Sequence, residues 1–176
     1  MARLQIRRAV PEDARAVAEI HVISWQSAYK DLLPPEHLAS LSVEKREKSW
    51  CECIAAGTPE LLVANDNGST VGWINFGKSR DNDAPVSRAE IWALYVAPAS
   101  WSTGVGRMLW LRAFERMTEQ GFRTCSLWVI AENVRAIQFY RNAGFVQEPS
   151  SAKSLELGGV NVQEVRYVRA IRSDVA

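Results

Sequence analysis

The stretch 89–110 (AEIWALYVAPASWSTGVGRMLW) constrains the fold of this chain more than any other, because its pattern changes from strand to helix across a glycine turn. Residues 91–96 are apolar, aromatic and β-branched, which predicts a buried strand. Pro98 ends that strand, since proline cannot donate to a ladder. Gly104 and Gly106 then precede apolar residues at helical spacing. The N-terminus of the predicted helix directs several backbone N–H groups and the positive end of the helix dipole at one spot, which suits a phosphate or pyrophosphate.

Two explanations of this glycine pair remain open, phosphate binding and close packing of the helix on the strand. Neither of the well-known nucleotide motifs fits. The P-loop requires Lys and Ser or Thr after its last glycine, where this chain has Arg107 and Met108. The dinucleotide-binding fingerprint requires a third glycine where Leu109 stands. A phosphate cradle without a magnesium ligand favours a cofactor held by its phosphates over one that transfers them.

Composition excludes several classes of partner. The 176 residues suffice for one domain with a substantial core. There are 21 Lys and Arg against 20 Asp and Glu, so charge gives no reason to expect nucleic-acid binding. No apolar run reaches the roughly 18 residues that span a bilayer, and no apolar signal segment follows the N-terminus. We expect a cytoplasmic protein without a membrane partner.

The sequence also argues against disulfides and metals. Cysteines are odd in number (Cys51, Cys53 and Cys125), and the two histidines are His21 and His37. Cys51 and Cys53 lie two apart in a predicted helix, which puts them on different faces. Neither a disulfide framework nor a metal site is expected.

Hydrophobic periodicity and turn residues predict the element order β α α β β β α β α β β, a mixed α/β domain. It has a central sheet of six to seven strands with helices on both faces. The clearest local signal is a hairpin around Asn65-Asp-Asn-Gly68. Predicted strands cover 4–7, 60–64, 70–76, 91–96, 123–130, 145–147 and 160–171, and predicted helices 11–29, 43–56, 106–120 and 133–144. Loops are expected at 26–42, 78–88 and 149–160.

Two motifs in this order resemble the GNAT superfamily, the acyl-CoA-dependent N-acyltransferases. Residues 96–98 (VAP) and 101–106 (WSTGVG) are similar to the family's Q/R-x-x-G-x-G/A signature after a strand ending Val-x-Pro. Trp101 stands where that signature opens with Gln or Arg. The second motif, Asn-x-x-Ala-x-x-Phe-Tyr-x-x-x-Gly-Phe, matches Asn133, Ala136, Phe139, Tyr140, Gly144 and Phe145. The resemblance covers 4–171 and implies one N-acetyltransferase domain with the GNAT fold in residues 1–176.

The resemblance implies that acetyl-CoA is the co-substrate. Backbone amides of the glycine turn would hold its pyrophosphate, and Asn133 would contact the pantetheine arm where the strands 89–96 and 123–130 separate. A main-chain N–H near Leu94 or Tyr95 would polarise the thioester carbonyl. The residues implied for cofactor binding are Leu94, Tyr95, Val96, Ser102, Thr103, Gly104, Val105, Gly106, Arg107, Asn133, Ala136, Phe139 and Tyr140. A helix cap alone explains Asn133 equally well.

Tyr140 matches the family's general acid and would protonate the departing thiolate, since the ordinary pKa of a tyrosine, about 10, is close to that of a thiol. Glu90 corresponds in position to a catalytic glutamate of some members and would act as general base through water. Core packing is the alternative explanation for Tyr140, and an ordinary strand-end residue is the alternative for Glu90. The family usually transfers the acyl group by direct attack, so the cysteines are interpreted as core residues.

The expected activity is transfer of an acetyl group to a primary amine in a ternary complex, with a small molecule favoured over a protein as acceptor. Candidate walls of the acceptor pocket are aromatic, and core packing explains them equally well: Trp25, Tyr29, Trp73 and Trp92. Few acidic residues accompany these aromatic side chains, which indicates a moderately apolar acceptor. The alternative is a catalytically silent CoA-binding sensor, against which the joint presence of Tyr140 and Glu90 argues. The resemblance also suggests a homodimer.

Overall fold

The computed structural model describes residues 4–171, which form one mixed sheet with helices on both faces. Residues 1–3 and 172–176, the ends of the predicted domain, lie outside the described residues. The strands are β1 (Gln5–Arg8), β2 (Glu60–Asp66), β3 (Ser69–Lys78), β4 (Arg88–Val96), β5 (Thr124–Ile130), β6 (Val146–Gln147), β7 (Lys153–Leu157) and β8 (Val160–Ala170). The helices are α1 (Ala14–Ala28), α2 (Pro35–Ala39), α3 (Val43–Ala56), α4 (Val105–Glu119) and α5 (Val134–Asn142).

Within residues 4–171 the sheet has eight strands, in the order β1-β2-β3-β4-β5-β8-β6 with β7 paired to β8, rather than the six to seven that the sequence predicts. The additional strand is β7, which forms a hairpin with β8 inside the segment expected to be a loop. Its side chains are mostly exposed, so it lacks the apolar alternation that identifies a half-buried strand. Helix α2 is also new. Its first residue is Pro35, a position at which proline starts a helix as readily as it breaks one.

Strands β4 and β5 are the only parallel neighbours among the described strands, and they separate partway along their length. They pair from Arg88 with Thr124 to Ile91 with Leu127. Beyond that point β4 continues on β3 alone and β5 on β8 alone. The separation begins at a β-bulge in β4. Asn75 of β3 lies opposite Ala93 and the next residue, Phe76, lies opposite Ile91, so Trp92 between them has no partner on β3. The sheet therefore opens at its centre, as the resemblance implied.

The two faces of the sheet carry separate cores. On one face α4 packs Leu109, Met117 and the rest of its apolar stripe onto β2–β5. On the other face Val17 and Ile20 of α1 pack with Trp73. Side chains alternate along β4 accordingly, with Leu94 and Val96 on the α4 face and Ala93 and Tyr95 on the α1 face.

A third apolar cluster covers the open end of the sheet. It joins Tyr29, which follows α1, and Leu38 of α2 to Ile130 of β5 and Val162 of β8. It thereby brings the end of α1 and the β7–β8 hairpin together over the gap between β4 and β5. In the part of the chain described, no helix is both long and apolar enough to cross a lipid bilayer.

Candidate active site

A cavity of about 1100 Å³ occupies the gap between β4 and β5. The end of α1, the N-terminus of α4 and one face of α5 complete its walls. Most of the residues expected to bind the cofactor line it: Leu94, Tyr95, Val96, Ser102, Gly104, Gly106, Arg107, Asn133, Ala136, Phe139 and Tyr140. Thr103 and Val105 do not, because the Thr103 hydroxyl donates to the Ser100 carbonyl at 2.7 Å and the Val105 side chain is buried in the core.

The N-terminus of α4 faces this cavity with unpaired backbone amides. Gly104 adopts a left-handed φ of 92°, and the Met108 N–H donates to its carbonyl at 3.0 Å as the first bond of the helix. The N–H groups of Val105, Gly106 and Arg107 lie before this first bond, so no carbonyl of the helix can accept from them. No side chain caps this end. The positive end of the dipole and the Arg107 guanidinium are therefore available to an anion.

Gly106 both lines the cavity and leaves room for a neighbouring aromatic ring. A Cβ built on it would lie 3.3 Å from Cε2 of Phe139, so the absent side chain makes room for the Phe139 ring of α5. This contact fixes α5 against the start of α4. Close packing thus accounts for part of the need for glycine at 106, and Gly104 supplies the turn that exposes the amides; phosphate binding at this turn stays a prediction.

Trp101 stands where the family signature has Gln or Arg; it anchors the turn and makes a cation–π contact with an arginine. Its indole N–H donates to the Val96 carbonyl at 2.7 Å. The guanidinium carbon of Arg135 lies 3.4 Å from the centre of its ring, and both residues line the cavity. Burial lowers the pKa of Arg135. Sequence reasoning missed Arg135, although its position two residues after Asn133 at the start of α5 was a usable signal.

Asn133 and Tyr140 lie on the cavity side of α5. The Asn133 side chain accepts the Ala136 N–H at 3.2 Å, so it caps the helix. Burial raises the pKa of the nearby Tyr29, and Asn133 lowers it in part. Burial raises the pKa of Tyr140, and the nearby Tyr29 and Cys125 groups raise it further. The Tyr140 hydroxyl therefore stays protonated at neutral pH, but its raised pKa no longer matches that of a thiol as closely as the ordinary value does.

Three of the four predicted aromatic wall residues, Trp25, Tyr29 and Trp92, line the cavity. Trp73 does not. It is fully buried on the α1 face, where its indole N–H donates to the Val17 carbonyl at 3.0 Å. The Trp25 indole donates to the Tyr95 hydroxyl at 2.8 Å, which ties α1 to β4 at the edge of the gap.

Glu90 lies beside a second cavity of about 410 Å³ and not in the larger one. It is 1% exposed. Its Oε2 accepts the Arg80 backbone N–H at 2.8 Å, and its Oε1 accepts from the Arg80 guanidinium, with Nε at 3.1 Å. Both carboxylate oxygens are therefore occupied by the loop between β3 and β4.

The second cavity adjoins the first and is polar. Ile91, Trp92, Trp128 and Glu164 line both cavities. Its other walls are the charged side chains Arg80, Asp81, Glu90 and Lys153. Three carboxylates, those of Asp81, Glu90 and Glu164, line this smaller cavity. Sequence reasoning missed Asp81 and Glu164, because the loop and hairpin that carry them are brought to β4 only by the folded chain.

The sequence profile of the acetyltransferase (GNAT) family matches residues 16–145, which include both motifs. The chain belongs to this family. It is therefore an acetyltransferase. The matched region ends before β6, β7 and β8, so Glu164 and Lys153 lie outside it.

Similar proteins of nearly the same length agree with this assignment. A probable N-acetyltransferase of Mycobacterium tuberculosis is 30% identical over 93% of this chain and 92% of its own length. A spermidine N(1)-acetyltransferase of Thermoplasma acidophilum is 26% identical over 82% of this chain and 89% of its own. Among solved structures, the ribosomal-protein-alanine N-acetyltransferase of Brucella melitensis superimposes with a TM-score of 0.76 at 23% identity, covering 95% and 99% of the two chains. It shares the fold.

Proposed function

We propose that this acetyltransferase moves an acetyl group from acetyl-CoA to a primary amine by direct attack in a ternary complex. The observation that carries the proposal is the continuous cavity, which connects the exposed amides of α4 to Tyr140 through the gap between β4 and β5. Two structures of the same fold support the choice of co-substrate. An acetyltransferase of Thermoplasma acidophilum was solved with CoA, and one of Salmonella typhimurium with acetyl-CoA.

In this proposal the N-terminus of α4 holds the pyrophosphate of acetyl-CoA. The N–H groups of residues 105–107 and the Arg107 side chain supply the donors and positive charge. The pantetheine arm follows α5 past Ala136 and Asn133 into the gap. There, β4 has no strand partner on its β5 side beyond Ile91, so main-chain N–H groups near Leu94 or Tyr95 can donate to the thioester oxygen.

The chemistry requires one proton to leave the amine and one to reach the thiolate. The neutral amine attacks the thioester carbonyl carbon, the N–C bond forms and the C–S bond breaks. Tyr140 gives its hydroxyl proton to the thiolate, and the phenolate recovers a proton from the nitrogen of the new amide. General acid catalysis of this kind contributes about 10²–10⁴-fold.

Glu90 is the initial proton acceptor that the sequence predicts. Glu90 can serve as a base through water only from the smaller cavity, and only when Arg80 gives up one of its oxygens. Otherwise the carboxylate acts as an anchor for the loop between β3 and β4.

We further propose that the acceptor is a small molecule bound against Trp25, Tyr29 and Trp92. The third apolar cluster, which contains Tyr29 and against which Trp25 packs, borders this side of the cavity. The acceptor named for one relative, spermidine, is also small. We propose the cytoplasm as its location, since Cys51, Cys53 and Cys125 are all unpaired, and a single domain formed by residues 1–176.

Thiol release from acetyl-CoA in the presence of a panel of primary amines tests the proposal. We expect turnover with at least one amine, and a loss of about 10²-fold or more in kcat for Tyr140→Phe. Tyr167→Phe is the matched control, because Tyr167 is a buried tyrosine of β8 outside both cavities. Tight binding of acetyl-CoA without turnover on any amine would instead favour the silent sensor.

A further inference from the structure

The junction between the two cavities contains a carboxylate that the mechanism above does not use. We infer that Glu164 binds the acceptor as an alkylammonium ion and takes its proton. This inference rests on the proposed acetyl transfer and assigns its missing proton acceptor.

The fold places Glu164 over the gap. It lies on β8 opposite Ile130, the last residue of β5, and opposite Lys153 of β7. Because side chains alternate along a strand, Val162, Glu164 and Arg166 share one face. Val162 packs into the apolar cluster with Tyr29, and Arg166 is held by Asp81 and Asp83. Glu164 is thus fixed between these two anchors, with its side chain 18% exposed.

Glu164 differs from the other carboxylates of the smaller cavity in having oxygens to spare. Both oxygens of Glu90 accept from Arg80. Asp81 accepts from the Trp128 indole at 3.1 Å and from Arg166 at 3.1 Å. Glu164 forms an ion pair with the Lys153 ammonium at 3.8 Å, a separation that exceeds hydrogen-bond distance. Lys153 also lies 3.6 Å from the centre of the Trp128 ring. An incoming ammonium group therefore meets in Glu164 a carboxylate that accepts no hydrogen bond from the described residues, and it competes with Lys153 alone for that carboxylate.

Glu164 lines the same cavity as Tyr140, and Tyr29 lines it with them. Burial raises the pKa of Tyr29, and the charge of Glu164 raises it further, against a lowering effect of Asn133. An amine bound at Glu164 and a thiolate near Tyr140 would meet at the end of β5, where the larger cavity is bounded by Trp128 and Ile130.

The inferred step is a proton transfer from the acceptor to Glu164. The ammonium R–NH₃⁺ transfers a proton to the Glu164 carboxylate, which leaves R–NH₂ with a free electron pair and a neutral carboxylic acid. After acetyl transfer this acid releases its proton to solvent. The remainder of the acceptor lies against the aromatic wall of Trp25, Tyr29 and Trp92, and Trp92 and Glu164 also line the polar cavity. The substrate class is therefore a small primary alkylammonium compound whose polar substituents can reach that cavity. The charged or titratable groups that face Glu164 are Tyr29 from α1, Lys153 from β7, and Arg80, Asp81 and Glu90 from the β3–β4 loop and β4.

The test is the pH profile of kcat/KM for Glu164→Gln. Acetyl-CoA and a panel of spermidine, ethanolamine, 2-phenylethylamine and an alanine-initiated peptide identify the amine used by the wild type. With that amine we expect a loss of about 10²-fold or more near pH 7. The loss should shrink as pH approaches the pKa of the amine, because the acceptor then arrives already neutral. Affinity for acetyl-CoA should not change.

Glu156→Gln provides the matched control, since Glu156 is an exposed glutamate on the neighbouring strand β7. Glu90→Gln tests the competing base. Activity of Glu164→Gln within threefold of the wild type, or a loss by the same factor at every pH, would overturn the inference. Absence of thiol release by the wild type with every amine, while it binds acetyl-CoA, would overturn the proposed function instead.

Discussion

The two glycines of the turn before α4 limit larger side chains for different reasons, a left-handed backbone at Gly104 and the nearby Phe139 ring at Gly106, and substituting each one separately distinguishes them. A Cβ on Gly104 would meet nothing within 4 Å, so Gly104→Ala is penalised only by its φ of 92°. A left-handed backbone costs a residue that carries a Cβ about 1–2 kcal/mol. A Cβ on Gly106 would lie 3.3 Å from Phe139, a contact that a small shift of the ring relieves. Alanine also favours a helix over glycine by about 1 kcal/mol.

We therefore expect Gly104→Ala to lower the free energy of unfolding by about 1–2 kcal/mol and Gly106→Ala to leave it nearly unchanged. Gly106→Val adds two methyl groups against Phe139 and should cost about 1–3 kcal/mol. At this chain length 1 kcal/mol corresponds to roughly 2–4 °C in Tm, so thermal unfolding followed by circular dichroism resolves these changes.

The double variant Gly106→Val with Phe139→Leu should recover part of the loss, because the two side chains share one contact. A Gly106→Val protein as stable as the wild type would show that Phe139 does not pack on this position. A Gly104→Ala protein of unchanged Tm would show that the turn does not require a left-handed residue.

Two further predictions concern acid stability. Burial, followed by the charge of Arg46, lowers the pKa of His21 to about 3 from 6.5, so the folded protein excludes a proton that the unfolded chain binds. The free energy of unfolding should then fall by about 2 kcal/mol between pH 6.5 and pH 5. An NMR titration that placed the pKa of His21 near 6.5 would contradict this prediction. Burial raises the pKa of Asp13, but its pair with Arg7 and the Val10 N–H outweigh burial and lower it below 3.8. Asp13→Asn should therefore destabilise at neutral pH and lose its effect as pH falls below about 3.8, measured by urea unfolding; a difference constant with pH would exclude the ion pair as its cause.

Features with a local cause could be predicted from the sequence. Helix α3 begins and ends at the predicted residues, because Ser42 caps the Lys45 N–H and Gly57 supplies the terminating conformation. The hairpin between β2 and β3 turns at Asn67-Gly68, because both residues readily adopt the positive φ that such a turn requires. These signals are contained in a few consecutive residues.

Features that depend on distant partners could not be predicted. The burial of Trp73 depends on which face of β3 meets α1, and periodicity alone does not decide that. The engagement of Glu90 depends on Arg80, ten residues earlier, folding back onto β4. Glu164 lies in a hairpin without a strong local pattern, and only its pairing with β5 brings it to the gap. The proposed cofactor site is thus encoded in motifs, whereas the proposed acceptor site is assembled by topology.

The central claim, that acetyl-CoA binds in the gap between β4 and β5 with its phosphates at α4, is tested most directly by amide NMR. Acetyl-CoA is added to the ¹⁵N-labelled protein and backbone shifts are followed residue by residue. The account predicts the largest changes at the amides of residues 94–96 and 102–107, with Asn133 following and the distant strand β1 unaffected. Saturable changes confined to any other surface, with residues 102–107 unmoved, would contradict it.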